Sequence, residues 1–130
     1  MTIAVDFDGT IVEHKYPEIG KEKPFAIQTL RTLQQEGNRI ILFTSREGEL
    51  LDDAVAYCHK KGLDFFAVNS NQPADALFPR HTAKVIADVY IDDKNLGGLP
   101  DWTDIYRMIN GQRAERHAAR KKRSWFSRRK

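Results

Sequence analysis

The chain has 130 residues, 41% of them hydrophobic and 30% charged, which suits one compact domain with a sizeable core. No apolar run approaches the roughly 20 residues of a membrane span, the opening lacks the layout of a secretory signal, and a lone cysteine, Cys58, excludes an internal disulfide, so a reducing cytoplasm is the expected compartment. The net charge of +3 is unevenly spread: nine of the 21 Lys and Arg residues follow Gln112 beside a single acid, Glu115, leaving twelve basic against seventeen acidic residues, a net of −5, in residues 1–112.

Taken in chain order, TIAVDFD reads as a first strand, nearly continuous in its hydrophobicity, as expected where both faces of a sheet are covered. Ile11 to Lys23 is polar and without periodicity. A helix is predicted from Pro24, a favoured first-turn residue, with Ile27, Leu30 and Leu33 on one face and Gly37 as its stop. RIILFTS is a second strand. A second helix is predicted over Glu47 to Lys61, with Leu51, Val55 and Cys58 on a core-facing stripe and Gly62 ending it. FFAVNS is a third strand, and Asn69 to Thr82 reads as loop. VIADVYIDD contains a fourth strand. Asp101 to Asn110 is a last helix, packing Trp102, Ile105, Tyr106 and Ile109, and Gly111 closes it. Beyond Gln112 a basic, flexible tail is expected over residues 113–130, separate from the domain of residues 1–112.

This β-α-β-α-β-loop-β-α order predicts an α/β fold: a three-layer, Rossmann-like parallel sheet with helices on both faces, because parallel strands need right-handed crossovers. In such sheets ligands bind outside the carboxyl ends of the strands. Three strands end in chemically useful groups: Asp6 and Asp8, Thr44 and Ser45, and Asp92 and Asp93, with Lys84 just before the fourth strand. Two carboxylates 4 Å apart repel by roughly 4 kcal/mol at an effective dielectric near 20. A cluster of three or four therefore needs a cation, and a hard, oxygen-rich site suits Mg²⁺. No P-loop pattern is present. The receiver domains of response regulators also gather acids, Thr and Lys at a sheet edge, but their phosphoacceptor ends the third strand, which here ends in VNS. Among the histidines, His14 follows the first acidic pair closely enough to face a substrate.

DFDGT resembles the first motif of the haloacid dehalogenase superfamily, IILFTSR its second, Lys84 its third, and YIDDKN its fourth, in the family's order over most of Thr2 to Asn95. The resemblance implies a phosphatase in which Asp6 is the nucleophile and Asp8 the general acid and base, with Thr44 and Lys84 completing the catalytic set. It implies Mg²⁺ held by Asp6, the Asp8 backbone carbonyl, Asp92 and Asp93, and substrate contacts from Gly9, Thr10, Ser45 and Arg46. Members that break carbon–halogen bonds lack the second aspartate, so phosphoryl chemistry is the better match. The gaps at Ile11–Lys23 and Asn69–Ala83, about thirteen and fifteen residues, are too short for a folded cap domain, which implies a capless member. A small phosphorylated metabolite, a sugar phosphate or nucleotide, is the first expectation, with a homo-oligomer shielding the open site. The alternative is a polynucleotide end. Arg46 resembles an arginine of polynucleotide 3′-phosphatases, and the tail with Trp125 and Phe126 suits nucleic acid. A non-catalytic binding module is the third reading, and the retained acidic pairs weigh against it.

Overall fold

The computed structural model describes residues 1–74 and 85–128, with side chains to residue 125. The elements are β1 (Thr2–Val5), α1 (Ala26–Gln35), β2 (Arg39–Leu42), α2 (Gly48–Lys60), β3 (Ala67–Val68), β4 (Val89–Ile91) and α3 (Trp102–Arg128). Four parallel strands form one sheet in the order β3-β2-β1-β4. From β1 the chain steps outward through α1 to β2 and through α2 to β3, then returns across the sheet to β4 on the far side of β1. The direction of travel reverses between β1 and β4, and their carboxyl ends flank the switch point where this class of sheet binds ligands.

Right-handed crossovers that step in one direction place α1 and α2 on the same face. On that face Ile3 and Val5 of β1 and Ile40 and Leu42 of β2 meet Leu30 and Leu33 of α1, Ala54 and Cys58 of α2, and Trp102, Ile105 and Ile109 of α3 in one core. The residues that alternate with them, Ala4 and Ile41, face the other way and are buried with Ala67 and Val85 beneath Phe66 and Ala87. The expectation of helices on both faces is thus corrected for the described residues, whose three helices all share one core. The return from β3 to β4 steps in the opposite direction, and residues 75–84 within it lie outside the described residues.

Several element boundaries differ from the sequence reading, and the fourth strand lies within VIADVYIDD as expected. Helix α1 begins at Ala26 rather than Pro24, because Phe25 sits at φ +65°, which no helical residue adopts. The fourth strand spans Val89–Ile91: the Asp88 amide still donates to the Thr2 carbonyl at 2.8 Å, but the Thr2 amide is taken by the Asp88 carboxylate at 2.8 Å, and the Tyr90 hydroxyl donates to the Val85 carbonyl at 2.6 Å. Gly111 does not end the last helix, and the basic segment expected as a flexible tail is helical through Arg128. A mid-helix glycine costs only about 1 kcal/mol against alanine, and the Gln, Ala, Arg and Lys that follow are strong helix formers. Two contacts fasten this extension: Arg113 donates to the Glu36 carbonyl at 3.0 Å, and Arg116 pairs with Asp88 at 2.8 Å. No helix among the described residues is long and apolar enough to cross a membrane.

Candidate active site at the switch point

Strands β1 and β4 pair in register, Val5 opposite Ile91, and the ladder continues one step further as the Asp6 amide donates to the Ile91 carbonyl at 3.0 Å. Asp6 and Asp92 therefore leave the sheet side by side. Asp6, Asp92 and Asp93 each bring a carboxylate oxygen within 4.8 Å of the others. Burial pushes the Asp6 carboxyl up from 3.8 to about 7, and the charges of Asp92, Asp93 and Asp8 add to it against a hydrogen bond from the Phe7 backbone.

Asp93 is held from below. Its amide donates to the Thr10 hydroxyl at 3.1 Å, and the Thr10 carbonyl accepts the Trp102 indole N–H at 3.0 Å, so the first turn of α3 supports the cluster through Thr10. Asp93 Oδ1 is buried without a hydrogen-bond partner among the described residues. Gly9, at φ +83°, leaves the space: a Cβ there would lie 2.2 Å from Asp93 Oδ2. The expected substrate contacts of Gly9 and Thr10 are corrected accordingly. Both are buried and serve Asp93.

Asp8 points elsewhere. Its carboxylate takes a two-pronged grip from Arg46, Nε to Oδ2 at 2.7 Å and Nη2 to Oδ1 at 2.8 Å. The same guanidinium donates to the carbonyls of Glu18 at 3.0 Å, Pro17 at 3.3 Å and Leu50 at 3.2 Å, and lies 5.2 Å from the ring centres of both Phe7 and Tyr16. The hydrogen bond to Asp8 raises the Arg46 pKa further above its ordinary value. Its side chain is fully buried, so Arg46 is not available to a substrate, which corrects its assignment to substrate binding.

Thr44 and Ser45 leave β2 toward the same cleft. The Thr44 amide is fixed by the Asn69 side chain at 2.8 Å, and the Thr44 hydroxyl oxygen accepts the Arg46 amide at 3.2 Å. Over the cleft stands the segment 11–23, which is not structureless: the Glu13 amide donates to the Lys21 carbonyl at 2.8 Å and the Lys23 amide to the Ile11 carbonyl at 2.9 Å, turning it into a short hairpin with residues 14–20 at its tip. The cleft encloses about 480 Å³, lined by Asp6, Asp8, His14, Tyr16, Phe43, Thr44, Ser45, Asp92, Asp93 and Lys94. His14 thus faces the site as its position suggested. Tyr16, Phe43 and Lys94 went unread, although Lys94 directly follows the acidic pair and Phe43 ends the second apolar run. Lys84 lies outside the described residues. A larger groove of about 630 Å³ opens at the opposite end of the sheet, by Met1, Asp88 and Arg116, but gathers no comparable acids. Cys58 and Trp102 are core residues, and burial pushes the Cys58 thiol up to about 12.

A four-stranded parallel sheet with an acidic cluster at its switch point defines an α/β protein of Rossmann-like type. No family model matches the chain, nor does any curated protein. A conserved protein from Bacteroides thetaiotaomicron, known as a solved structure, is 55% identical over 86% of this chain and 91% of that one, with a TM-score of 0.81. The chain belongs to the same family as that protein.

Proposed function

We propose that the chain is a Mg²⁺-dependent phosphatase of the haloacid dehalogenase type that hydrolyses a phosphomonoester through an aspartyl-phosphate on Asp6. The observation that carries this reading is the meeting of Asp6, Asp92 and Asp93 at the ends of adjacent strands, in one cleft with Thr44 and Ser45. The donor set fits a small hard cation: three carboxylates, one with an orphaned buried oxygen and one whose carboxyl is pushed up to about 7 by burial and like charge. Asp6, Asp92 and Asp93 would hold Mg²⁺, with the Asp8 backbone carbonyl, and the bound ion would neutralise them and draw charge from the phosphoryl oxygens.

The chain's own groups supply the rest. The Asp6 carboxylate attacks phosphorus. The Asp8 carboxyl protonates the departing oxygen, then takes a proton from the water that hydrolyses the acyl phosphate. The Thr44 oxygen already accepts from the Arg46 amide, which leaves its hydroxyl hydrogen to donate to a phosphoryl oxygen. Lys94 brings a positive charge to the rim, and the resemblance gives Lys84 the same task. Among the described residues only a short hairpin stands over the cleft, which supports a capless reading, and an aromatic and histidine rim suits a small phosphorylated metabolite. The enclosure of Arg46 removes one of the two arguments for a polynucleotide end.

The test is a screen of phosphorylated metabolites and 3′- or 5′-phosphorylated oligonucleotides with Mg²⁺, beside Asp6→Asn. Turnover should fall to background in the variant and after chelation. Activity within tenfold of wild type in Asp6→Asn would sink the covalent mechanism.

A further inference from the structure

We propose that Arg46 is a positioning residue that separates the two aspartates of DFDGT: it holds the Asp8 carboxylate out of the metal-binding cluster, in place for proton transfer. This rests on the phosphatase reading above. Four acids surround the switch point, yet only Asp6, Asp92 and Asp93 come together, and the fourth is gripped by the fork of Arg46 through both of its oxygens. Asp8 follows Asp6 by two residues and also lines the cleft. Without a partner its carboxylate would have the same cation to turn to.

The guanidinium is fixed as firmly as the carboxylate it fixes. All five of its N–H groups are used, two by Asp8 and three by the carbonyls of Pro17, Glu18 and Leu50. It sits against the Phe7 and Tyr16 rings. A buried ion pair is poor value as a stabilising device, since apolar residues of the same volume commonly do as well. What it provides here is orientation: a planar fork sets both the direction and the rotation of the carboxylate. Each Asp8 oxygen accepts one bond from Arg46 and keeps a further lone pair free of it. Because Pro17 and Glu18 belong to the hairpin tip, the same cation also ties the cleft's roof to its proton donor.

The experiment compares Arg46→Lys with wild type on two esters, p-nitrophenyl phosphate, whose leaving group departs without a proton, and glycerol phosphate, whose leaving group needs one. General acid catalysis contributes about 10²–10⁴-fold. In Arg46→Lys, kcat/KM, which reports the step that releases the leaving group, should fall by about 100-fold or more on glycerol phosphate and by less than about tenfold on p-nitrophenyl phosphate, whereas kcat on both esters also feels the shared hydrolysis of the acyl phosphate. Guanidinium ion added to Arg46→Ala should restore glycerol phosphate turnover selectively. Equal losses of kcat/KM on both esters overturn the proposal. The double variant Asp8→Asn/Arg46→Met leaves no unpaired charge, so it tests the idea even where single variants fold poorly. It should reproduce the leaving-group profile of Asp8→Asn, and a further tenfold loss on both esters would show that Arg46 does not act through Asp8. Undiminished turnover in Asp6→Asn would instead bring down the phosphatase reading itself.

Discussion

Replacing Asp6 by Asn should make the metal-free protein more stable at alkaline pH, and by an amount the structure sets. The Asp6 carboxyl titrates near 7 in the fold against 3.8 when unfolded, because it is buried and faces three like charges. That difference corresponds to roughly 4 kcal/mol of preference for the protonated form. Below the unfolded value both states hold the proton, and the fold bears no penalty. Between pH 4 and 7 the unfolded chain releases it first, so stability falls as pH rises, and above 7 the whole penalty is present. Asn removes it. Partial solvent access reduces the gain to about 1–3 kcal/mol at pH 8, a rise in Tm of roughly 3 to 10 °C for a chain of this size. Thermal unfolding followed by circular dichroism in EDTA, at pH 4.5 and pH 8, measures it. The two proteins should melt close together at the lower pH and apart at the higher. With Mg²⁺ at 100 times its Kd the wild type should gain about 2.7 kcal/mol and the variant much less, reversing the order. A variant less stable than wild type at pH 8 in EDTA, or a difference that ignores pH, would refute the account of the cluster.

The supports of the cluster can be tested in the same way. Gly9→Ala sets a Cβ 2.2 Å from Asp93 Oδ2 at a φ of +83°, and should destabilise by about 2–4 kcal/mol and weaken Mg²⁺ binding tenfold or more by calorimetry; unchanged binding would detach Asp93 from the site. Trp102→Phe leaves the buried Thr10 carbonyl without its donor and should cost about 1–3 kcal/mol in urea unfolding, with weaker Mg²⁺ binding, whereas a loss of stability alone would make the indole purely structural. Truncation after Gln112 removes the Arg113–Glu36 and Arg116–Asp88 contacts and should cost about 1–2 kcal/mol while turnover of small esters stays within about twofold. If the helical extension binds nucleic acid, the full chain should retain oligonucleotides with a steep salt dependence that the truncated chain lacks; equal retention by both assigns the basic residues to solvent.

The strand ends were legible because hydrophobic runs stop where chemistry starts: TIAV gives way to Asp6, IIL to Thr44, and VYI to Asp92. Once the alternation of elements implies parallel strands, those ends share one edge. Arg46 was misread for a physical reason. Its partners lie 38 residues away at Asp8 and around the hairpin at Pro17 and Glu18, and a local pattern records that an arginine follows a strand without recording which way it turns. Thr10 is similar, since its neighbours Asp93 and Trp102 are distant in sequence. Gly111 misled because a stop signal was weighed without the helix-forming residues beyond it. The sharing of one face by all three described helices needed the strand order, which patterning along the chain does not carry.

The hairpin over the cleft has a bearing on how new specificities arise. Its neck is closed by the Glu13–Lys21 and Ile11–Lys23 backbone pairs, and within the tip the Pro17 and Glu18 carbonyls are anchored to Arg46. Between neck and anchor, His14, Lys15 and Tyr16 are exposed. Loop-closure entropy grows slowly, by only about 0.6 kcal/mol for each doubling of length. Residues inserted at Lys15 would therefore lengthen the roof at small thermodynamic expense, while β1, β4 and the acids at their ends keep their register. Under the proposed function, the part of the molecule that would meet the variable portion of a substrate can grow and diversify without disturbing the part that would break the bond.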